Sequence, residues 1–361
     1  MDKKAVCEFY KGKKVLVTGH TGFKGSWLVK ILSDAGADVT GYSLAAPTET
    51  NLFEIVGLER AINSIEGDVR DFEHLDKVFD TVKPEIVFHL AAQPIVRTSY
   101  KEPRLTYETN VMGTVNICES VRLHADTVKS FLNVTTDKVY KNNEWCYGYR
   151  ENEPLDGFDP YSNSKSCSEL VTHSYINSFY DSVPSLAVST ARAGNVIGGG
   201  DFAADRIIPD CVRAVQSGEA IVIRNPLSTR PYQHVLEPLF TYMTIAKAQY
   251  EDRTKAGFYN VGPDDCDCVT TGELVGLFEK YYGEGFRSEI AAVDPNAPHE
   301  ANFLKLDTSL VKNVFGWRPT WHIDKAVEKT VEWTKAWLSD PSADSVNAVM
   351  KKQIDEFVIT K

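Results

Sequence analysis

The chain of 361 residues lacks any continuous apolar stretch of the ~18 residues that a membrane-spanning helix needs. Residues Met1 to Tyr10 are charged and carry no apolar run, so we expect no signal peptide. Positive charge is in deficit, since 39 Lys and Arg stand against 50 Asp and Glu, for a net charge of -11. This balance argues against a nucleic-acid-binding surface. We therefore expect a cytoplasmic protein without a membrane or nucleic-acid partner, in which local arginines and helix N-termini hold any anionic substrate.

Cysteines are few and odd in number, with seven in the chain, five of them scattered. The other two, Cys266 and Cys268, lie closer together than the ligand pairs of zinc fingers. We interpret all seven as reduced thiols and expect neither a disulfide framework nor a metal site. A chain of this length can bury a core that needs no such crosslink.

Short β-branched runs alternate with longer helical patterns along the first half of the chain. Strands are predicted at Lys14–Thr18, Asp38–Tyr42, Ile62–Val69, Glu85–Leu90, Ser130–Thr135, Ser185–Thr190 and Phe258–Val261. Helices are predicted at Lys24–Ala35, Glu102–His124 and Tyr161–Phe179. Strands that alternate with helices and are apolar almost throughout indicate a parallel sheet covered on both faces. The sequence therefore predicts an α/β fold with a doubly wound parallel sheet.

The composition changes after Gly194, where glycine and proline become frequent and strand and helix signals mix. This change predicts a second, smaller α/β domain that binds the substrate. The two predicted domains comprise 1–194 plus about 241–265, and about 195–240 plus 266–361. Residues 141–160 are rich in Asn, Glu, Asp and Gly, and they predict a long loop just before Tyr161.

A glycine-rich turn follows the first predicted strand and opens the first predicted helix. Gly19 can make the tight turn, Gly22 lets the backbone approach a pyrophosphate, and Gly25 lets the helix pack close to the sheet. Backbone N–H groups and the helix dipole can hold the anion, so Thr21 and Phe23 of this turn join the predicted cofactor-binding residues. The alternative is an ordinary strand-to-helix turn that is rich in glycine. Its place between a strand and a helix favours a dinucleotide-binding loop.

The chain lacks the acid that is expected at the end of the second strand, ~20 residues further on, to bind the adenosine ribose. Ser43 stands there and can donate a hydrogen bond to the ribose, although a neutral contact is weaker than that of a carboxylate. No basic residue is placed to meet a 2′-phosphate, so the sequence predicts NAD rather than NADP. Asp68, which precedes Val69 at the end of the third strand, can accept from the adenine amino group. It can equally be a helix N-cap or a turn residue.

Tyr161 and Lys165 stand four residues apart on a predicted helix and therefore share a face. A lysine ammonium there stabilises the phenolate and lowers the tyrosine pKa, and its other donors can hold the nicotinamide ribose. Tyr10 and Lys14 show the same spacing, but they precede the first strand and cannot reach a nicotinamide. The later pair is what a nicotinamide enzyme needs to oxidise an alcohol.

The end of the fifth predicted strand carries a second group of reactive side chains. The Thr136 hydroxyl can bond the oxygen that is being oxidised, and Asp137 and Lys138 follow as the strand opens into the loop. The alternative is an ion pair at the surface, which contributes little. Simple alcohol oxidation has no use for a further acid/base pair. Asp137 and Lys138 therefore indicate loss of water from a substrate first activated by oxidation.

Five motifs together resemble the extended short-chain dehydrogenases that modify nucleotide sugars. They are the glycine-rich turn, Thr136-Asp137, Tyr161-x-x-x-Lys165, Leu90-Ala91-Ala92 and Thr109-Asn110-Val111. The resemblance implies a Rossmann-type fold, NAD as the cofactor, and cofactor contacts from Val69, Leu90, Ala91, Ala92 and Asn110. Within this family, the dTDP-glucose and GDP-mannose 4,6-dehydratases carry glutamate where this chain has Lys138. Lys138 and the segments 192–201 and 230–235 resemble the branch that acts on CDP-glucose.

The resemblance implies a mechanism in which oxidation precedes elimination. Tyr161 takes the proton of the sugar 4-hydroxyl with help from Thr136, while a hydride leaves carbon 4 for NAD. A base removes the carbon-5 proton, Asp137 protonates the departing 6-hydroxyl, and the hydride returns to carbon 6. The product is CDP-4-dehydro-6-deoxyglucose, a dideoxysugar precursor for a bacterial surface lipopolysaccharide. Lys138 is either the carbon-5 base, when neutral, or a charged group that stabilises an enolate while another residue takes the proton.

The resemblance also implies contacts with the substrate. Asn195 is expected to bond the diphosphate or the sugar, and Arg206 and Arg230 are expected to meet phosphate oxygens, which the arginine fork suits. His299 stands where the family often has an arginine, and Arg97 is expected to contact substrate as well. Two other readings stay open: a dTDP- or GDP-sugar dehydratase, and a non-catalytic NAD-binding regulatory protein of the same fold. The second should have lost the Tyr/Lys or the Asp position, and this chain retains them.

The predicted helices Glu102–His124 and Tyr161–Phe179 carry apolar residues on more than one face. Examples are Val111, Val115, Ile117 and Val121. In the family these helices pair across a two-fold axis, so the resemblance implies a homodimer or a dimer of dimers.

Overall fold

The computed structural model describes residues 2–291 and 303–360. Its strands are β1 (Lys14–Thr18), β2 (Asp38–Ser43), β3 (Asn63–Glu66), β4 (Ile86–His89), β5 (Ser130–Thr136), β6 (Ala187–Ala193), β7 (Val196–Ile197), β8 (Ile221–Ile223), β9 (Thr229–Pro231), β10 (Gln233–His234), β11 (Phe258–Val261), β12 (Cys268–Thr270) and β13 (Ser288–Ile290). A seven-stranded parallel sheet has the order β11-β6-β5-β4-β1-β2-β3, and β7/β10, β9/β12 and β8/β13 form small pairs.

The α/β prediction is confirmed, and each of the seven predicted strands overlaps a strand of the large sheet. The largest difference in length is at β3, which ends at Glu66 rather than at Val69. Gly67 passes over the Tyr42 ring so closely that a Cβ there would lie 2.3 Å from Cε2. The Tyr42 hydroxyl also donates to the Asp68 carbonyl at 2.9 Å, so the chain turns away from the sheet at this point.

Helices cover both faces of the sheet. They are α1 (Lys3–Tyr10), α2 (Phe23–Asp34), α3 (Leu52–Ile55), α4 (Phe72–Val82), α5 (Val96–Lys101), α6 (Pro103–Tyr107), α7 (Gly113–Leu123), α8 (Pro160–Ser178), α9 (Ile207–Ser217), α10 (Leu236–Glu251), α11 (Thr271–Tyr282), α12 (Ser309–Phe315), α13 (Ile323–Ser339) and α14 (Ala343–Ile359). The predicted helix Glu102–His124 consists of α6, a π-helical turn at Glu108–Met112, and α7. No helix of the described residues is both long and apolar enough to span a bilayer.

The apolar face expected on α7 needs a correction. Ile117 and Val121 are fully buried and pack in the core cluster of this chain, with Leu16 and Phe131 among its members. They face the sheet because α7 lies directly against it, so they cannot contact a second subunit. Val111 and Val115 are only partly buried.

One large hydrophobic cluster joins the sheet to the helices of the C-terminal third. It includes residues of β1, α2, α10, α11, α13 and α14. Trp333 of α13 packs on Gly199, where a Cβ would lie 2.0 Å from the indole, and Trp27 donates to the Gly199 carbonyl at 2.9 Å. The division of the chain into two domains stays a prediction.

The strand order places the carboxyl ends of β1, β4, β5 and β6 along one edge, where the order reverses between β1 and β4. Such an edge is where open α/β sheets bind their ligands. The predicted loop 141–160 leaves the end of β5 beside this edge and contains no helix or strand before α8 begins at Pro160. Isolated bridges of Tyr140 with Leu155 and of Tyr149 with Leu306 hold it in place.

Candidate active site

The glycine-rich turn connects β1 to α2, as its sequence predicted. Gly19 has a φ of +74°, and a Cβ there would lie 2.7 Å from the backbone N of Ala91. A Cβ at Gly25 would lie 2.1 Å from the Gly19 carbonyl oxygen, so the protein itself requires both glycines. A Cβ at Gly22 would meet only that same oxygen, at an ordinary 3.5 Å. Gly22 therefore opens a surface at the helix N-terminus that a phosphate can approach closely.

Ser43 lies at the end of β2 and faces this turn. Its hydroxyl shares a hydrogen bond of 2.9 Å with the Thr21 hydroxyl, which also donates to the Leu44 carbonyl at 3.0 Å. The Asp68 carboxylate accepts from the backbone N–H and the guanidinium of Arg70, and this pairing lowers its pKa. Ser43 therefore lies at the end of β2, where the sequence predicts the ribose contact. The Asp68 carboxylate, in contrast, already accepts hydrogen bonds from Arg70.

The segment after β4 forms the opposite side of the turn. The Thr18 hydroxyl accepts from the Ala91 N–H at 3.2 Å and bonds the buried His89 ring at 2.8 Å. Asn110 sits in the π-helical turn, where its carboxamide accepts from the Gln93 N–H at 2.8 Å and donates to the Ser164 hydroxyl at 2.9 Å. Asn110 therefore fixes the segment that contains Leu90, Ala91 and Ala92 against the start of α8. Its direct contact with a cofactor stays a prediction.

Tyr161 lies in the first turn of α8, one turn before Lys165. The Asp159 carboxylate caps this helix by accepting from the Ser162 N–H at 3.0 Å. Burial raises the pKa of Tyr161 to about 12, and a hydrogen bond with Thr136 opposes the rise. Burial lowers the pKa of Lys165 to about 8, and its ammonium donates to the Val134 carbonyl at 3.0 Å. The predicted tyrosine and lysine therefore meet Thr136 at the end of β5.

A buried ion pair lies one helical turn beyond Lys165, on the side away from Tyr161. Glu169, one further turn along α8, accepts from Arg192 of β6 at 3.0 Å and from Thr190 at 2.8 Å. Both ionic side chains are almost fully buried, at 1% and 3% exposure. The Glu169 carboxylate raises the pKa of Lys165 against the effect of burial. The Glu169 carboxylate therefore favours the charged form of Lys165, the form that stabilises a phenolate, and Arg192 holds that carboxylate in place.

Asp137 and Lys138 form a compact group directly after β5. One oxygen of the fully buried Asp137 carboxylate, Oδ1, accepts from the Thr136 hydroxyl at 2.9 Å and from the Lys138 ammonium at 3.0 Å. The Lys138 ammonium also donates to the Asn195 side chain at 3.3 Å. The other oxygen, Oδ2, is buried without a hydrogen-bond partner among the described residues. A Cβ at Gly194 would come within 3.1 Å of it and within 2.7 Å of the Pro231 Cγ, so glycine leaves space beside the acid.

The predicted substrate arginines occupy different surroundings. Arg206 pairs with Asp201 at 3.0 Å, and its charge lowers the pKa of Tyr161, which places it in the field of the reaction centre. Arg97 pairs instead with Asp205 at 3.3 Å. Arg230 is largely buried and donates to the Thr229 carbonyl at 2.9 Å. His299 lies outside the described residues.

Several residues near the site had no role in the sequence interpretation. Burial, and then the charges of Arg206 and Lys165, lower the pKa of Lys24 to about 7. The sequence feature that could have identified Lys24 is its position inside the glycine-rich turn. Glu169 continues the four-residue spacing of Tyr161 and Lys165 along one helix face. Arg224, which pairs with Asp205 at 3.5 Å, gave no local signal, since it is one arginine after a short strand.

The fold and this cluster define a Rossmann-fold protein of the extended short-chain dehydrogenase class. The family described as GDP-mannose 4,6 dehydratase matches residues 16–330, and the chain belongs to this family. The sequence is 46% identical over 355 residues to the CDP-glucose 4,6-dehydratase of Salmonella typhimurium, with 97% of each chain covered. It is 26% identical over 333 residues to the dTDP-D-glucose 4,6-dehydratase of Bos taurus, with 89% of this chain and 88% of that relative covered.

Solved structures share the fold at lower identity. A UDP-glucose 4-epimerase of Thermotoga maritima with UDP-glucose superimposes with a TM-score of 0.78 at 23% identity, over 90% of this chain and 99% of that chain. A dTDP-glucose 4,6-dehydratase of Bacillus anthracis in complex with NAD gives a TM-score of 0.72 at 21% identity, over 91% and 97% of the two chains. These structures confirm the Rossmann-type architecture that the sequence predicted.

Proposed function

We propose that this chain catalyses the NAD-dependent 4,6-dehydration of CDP-glucose to CDP-4-dehydro-6-deoxyglucose. The observation that carries this proposal is a set of contacts at the end of β5. Asp137 accepts from Thr136 and Lys138, and Thr136 also bonds Tyr161. The pair beside Thr136 supplies an acid/base group that alcohol oxidation alone does not use. The 46% identity with the Salmonella enzyme supports CDP-glucose as the substrate.

The residues around the glycine-rich turn fit a dinucleotide. Gly22 is open at the N-terminus of α2, where backbone N–H groups meet an anion, and Ser43 presents a hydroxyl where the adenosine ribose is expected. When bound there, NAD supplies the acceptor for a hydride and later gives it back. This proposal includes all of the predicted cofactor residues, namely Gly19, Thr21, Gly22, Phe23, Gly25, Ser43, Asp68, Val69, Leu90, Ala91, Ala92, Asn110, Tyr161 and Lys165.

Tyr161 and Lys165 act in the oxidation. Burial raises the pKa of the phenol to about 12, so Tyr161 is protonated near neutral pH and needs help to form the phenolate that accepts a proton. The charged Lys165 stabilises the phenolate, and the Glu169 carboxylate favours that charge. Tyr161 then takes the proton of the sugar 4-hydroxyl, and the Thr136 hydroxyl orients the same oxygen.

Asp137 and Lys138 act in the elimination. Both donors on Asp137 bind Oδ1, which leaves Oδ2 free to carry the proton for the departing 6-hydroxyl. Lys138 donates to Asp137 and to Asn195, and these two contacts hold its side-chain nitrogen beside the acid. We propose that this nitrogen either takes the carbon-5 proton as a neutral amine or, as an ammonium, stabilises the enolate while another residue takes the proton.

On the substrate side, we propose that Asn195, Arg97, Arg206, Arg230 and His299 contact the diphosphate or the sugar. The enzyme would act in the cytoplasm, in the synthesis of dideoxysugar precursors for surface lipopolysaccharide. We also propose a two-domain organisation in which residues 1–194 plus about 241–265 bind NAD, and residues of about 195–240 plus 266–361 bind the nucleotide sugar.

We further propose a homodimer, or a dimer of dimers, built through α6–α7 and α8. Large apolar side chains remain exposed along these helices, including Met112 at 50%, Leu123 at 49% and Leu170 at 53%. Exposed apolar groups of this size along neighbouring helices favour a subunit contact. A stable contact would bury on the order of 1,200 Å² or more in total.

The proposal is tested by incubating the protein with NAD and a panel of CDP-, dTDP-, GDP- and UDP-glucose. We expect the 4-keto product from CDP-glucose. Conversion of a different nucleotide sugar would identify that sugar as the substrate instead of CDP-glucose. If no nucleotide sugar is converted, a regulatory NAD-binding protein would be favoured.

A crossover experiment tests whether one bound cofactor performs both redox steps. CDP-glucose deuterated at carbon 4 is mixed with unlabelled substrate that carries a heavy-carbon tag. Because the hydride leaves and returns in the same site, deuterium should appear at carbon 6 of untagged product only. Deuterium in the tagged product would mean that the cofactor exchanges during turnover, which the proposed mechanism excludes.

A further inference from the structure

Asp205 is shared by two arginines that come from different parts of the chain. Its Oδ1 lies 3.3 Å from the guanidinium of Arg97 in α5 and 3.5 Å from that of Arg224, directly after β8. Arg97 follows the carboxyl end of β4, whereas Arg224 and Asp205 belong to the segments after Gly194. The three side chains therefore join the two sides of the ligand-binding crevice.

The backbone at Asp205 is in an unusual conformation. Its φ of +60° lies in the left-handed region, which aspartate and asparagine adopt more readily than most residues other than glycine. The next residue, Arg206, is the N-cap of α9 and is the arginine whose charge lowers the pKa of Tyr161. Asp205, with its contacts to Arg97 and Arg224, is therefore the chain neighbour of an arginine whose charge reaches the reaction centre.

The charges of this group favour an anionic ligand. Two guanidinium groups against one carboxylate leave a net charge of about +1, and all three side chains are one third to one half exposed. A diphosphate has paired oxygens that match two arginine forks, which a single carboxylate cannot satisfy together. The carboxylate occupies the position between the arginines that a phosphate group would prefer.

We propose that Asp205 is an internal counter-ion that the diphosphate of the substrate displaces from Arg97 and Arg224. This inference rests on the proposed function for the identity of the ligand and adds a residue that sets its selectivity. Every anion that enters must compete with the Asp205 carboxylate. A diphosphate bound through both arginines overcomes this competition, whereas small anions with fewer contacts do not.

The test uses the protein saturated with NAD, so that the dinucleotide loop is occupied, and measures binding of inorganic pyrophosphate and of CDP by calorimetry at low salt. Asp205→Asn removes the charge with little change of shape, and asparagine tolerates the left-handed region. We expect both ligands to bind about five- to tenfold more tightly to this variant, with a smaller gain at high salt. Equal or weaker binding of pyrophosphate, including no binding to either protein, would overturn the inference.

Two further variants separate this effect from the general loss of negative charge. Asp181→Asn removes a carboxylate that pairs with Arg253 at 3.2 Å, beyond the C-terminal end of α8, and should change binding less than twofold. Arg224→Gln in the Asp205→Asn background should abolish the gain. A gain of the same size in Asp181→Asn, or one that survives Arg224→Gln, would also overturn the inference. If the protein does not convert CDP-glucose, only the proposed function is contradicted, because pyrophosphate binding is measured independently of turnover.

Discussion

At the scale of single residues, the glycine-rich turn separates structural glycines from a glycine that serves a ligand. Gly19 and Gly25 are required by the chain itself, because a Cβ at either would overlap backbone atoms. Gly22 has no such neighbour. Three glycines that look alike in sequence therefore have different physical reasons to be there.

Gly22→Ala is accordingly expected to fold like the wild type but to bind NAD at least about tenfold more weakly, because its methyl group would occupy the anion approach. Its free energy of unfolding should stay within about 0.5 kcal/mol of the wild-type value. Gly25→Ala should instead destabilise the fold by about 2 kcal/mol or more. Chemical denaturation and NAD titration of both variants measure this contrast. Similar losses of stability in the two would contradict it.

The Asp137–Lys138 pair predicts which half of the reaction a substitution affects. Asp137→Asn removes the proton donor for the 6-hydroxyl, so elimination should slow more than oxidation and enzyme-bound NADH should accumulate transiently. Lys138→Ala should do the same if the amine is the carbon-5 base. Stopped-flow absorbance of NADH, compared with the rate of product formation, measures the difference.

Asp355→Asn on α14, an exposed carboxylate that pairs with Lys351, serves as the control and should leave the NADH trace unchanged. Turnover of Lys138→Ala near that of the wild type would make Lys138 a bystander. The carbon-5 base would then be sought in Tyr161 or in the loop itself.

At the scale of elements, helix α10 is anchored at its first turn by a buried carboxyl group. Glu237 accepts from the N–H groups of Thr320 and Trp321 at 2.7 and 2.6 Å, and burial raises its pKa to about 7. The ordinary value of 4.5 applies in the unfolded chain. Between these two values the folded state binds the proton more tightly, so Glu237 should lower stability as the pH rises from about 4.5 to about 7.

Glu237→Gln should remove this pH dependence, because its carbonyl can accept from the same two N–H groups without titrating. The stability of the variant relative to the wild type should therefore increase across that window, by ~3 kcal/mol at most. Thermal unfolding as a function of pH tests this expectation. Glu251→Gln, at the exposed end of the same helix, serves as the matched control for loss of one carboxylate. A flat difference for Glu237→Gln would contradict the assignment.

At the scale of the whole molecule, the helices that border the active site also carry its exposed apolar surface. Leu170 lies on α8, the helix that holds Tyr161 and Lys165, and Met112 precedes α7 in the π-helical turn. A subunit contact there would brace the helix that carries the catalytic pair. The proposed dimer and the proposed site are therefore coupled through α8.

Leu170→Glu should convert the dimer to a monomer at micromolar concentration, because a charge would be buried against an apolar partner. Light scattering gives the mass directly. Ile359→Glu replaces an even more exposed apolar residue at the end of α14 and should leave the mass unchanged. A monomeric wild type would rule out the dimer, whereas a tetramer made of dimers would not.

The sequence by itself determined the parts that depend on local spacing. The α/β class followed from strands that alternate with helices, the nucleotide turn followed from Gly19, Gly22 and Gly25 between β1 and α2, and one face of α8 followed from Tyr161 and Lys165. Local patterns predict these features because the backbone periods of helix and strand are fixed by geometry.

Only the tertiary structure decided which distant side chains meet. Three features depend on how the helices lie on the sheet. They are the Glu169–Arg192 pair, the contacts of Arg97 and Arg224 with Asp205, and the burial of the apolar residues of α7. Each is a contact between residues far apart in the chain. No local period encodes such a contact, because it arises from the packing of complete elements against one another.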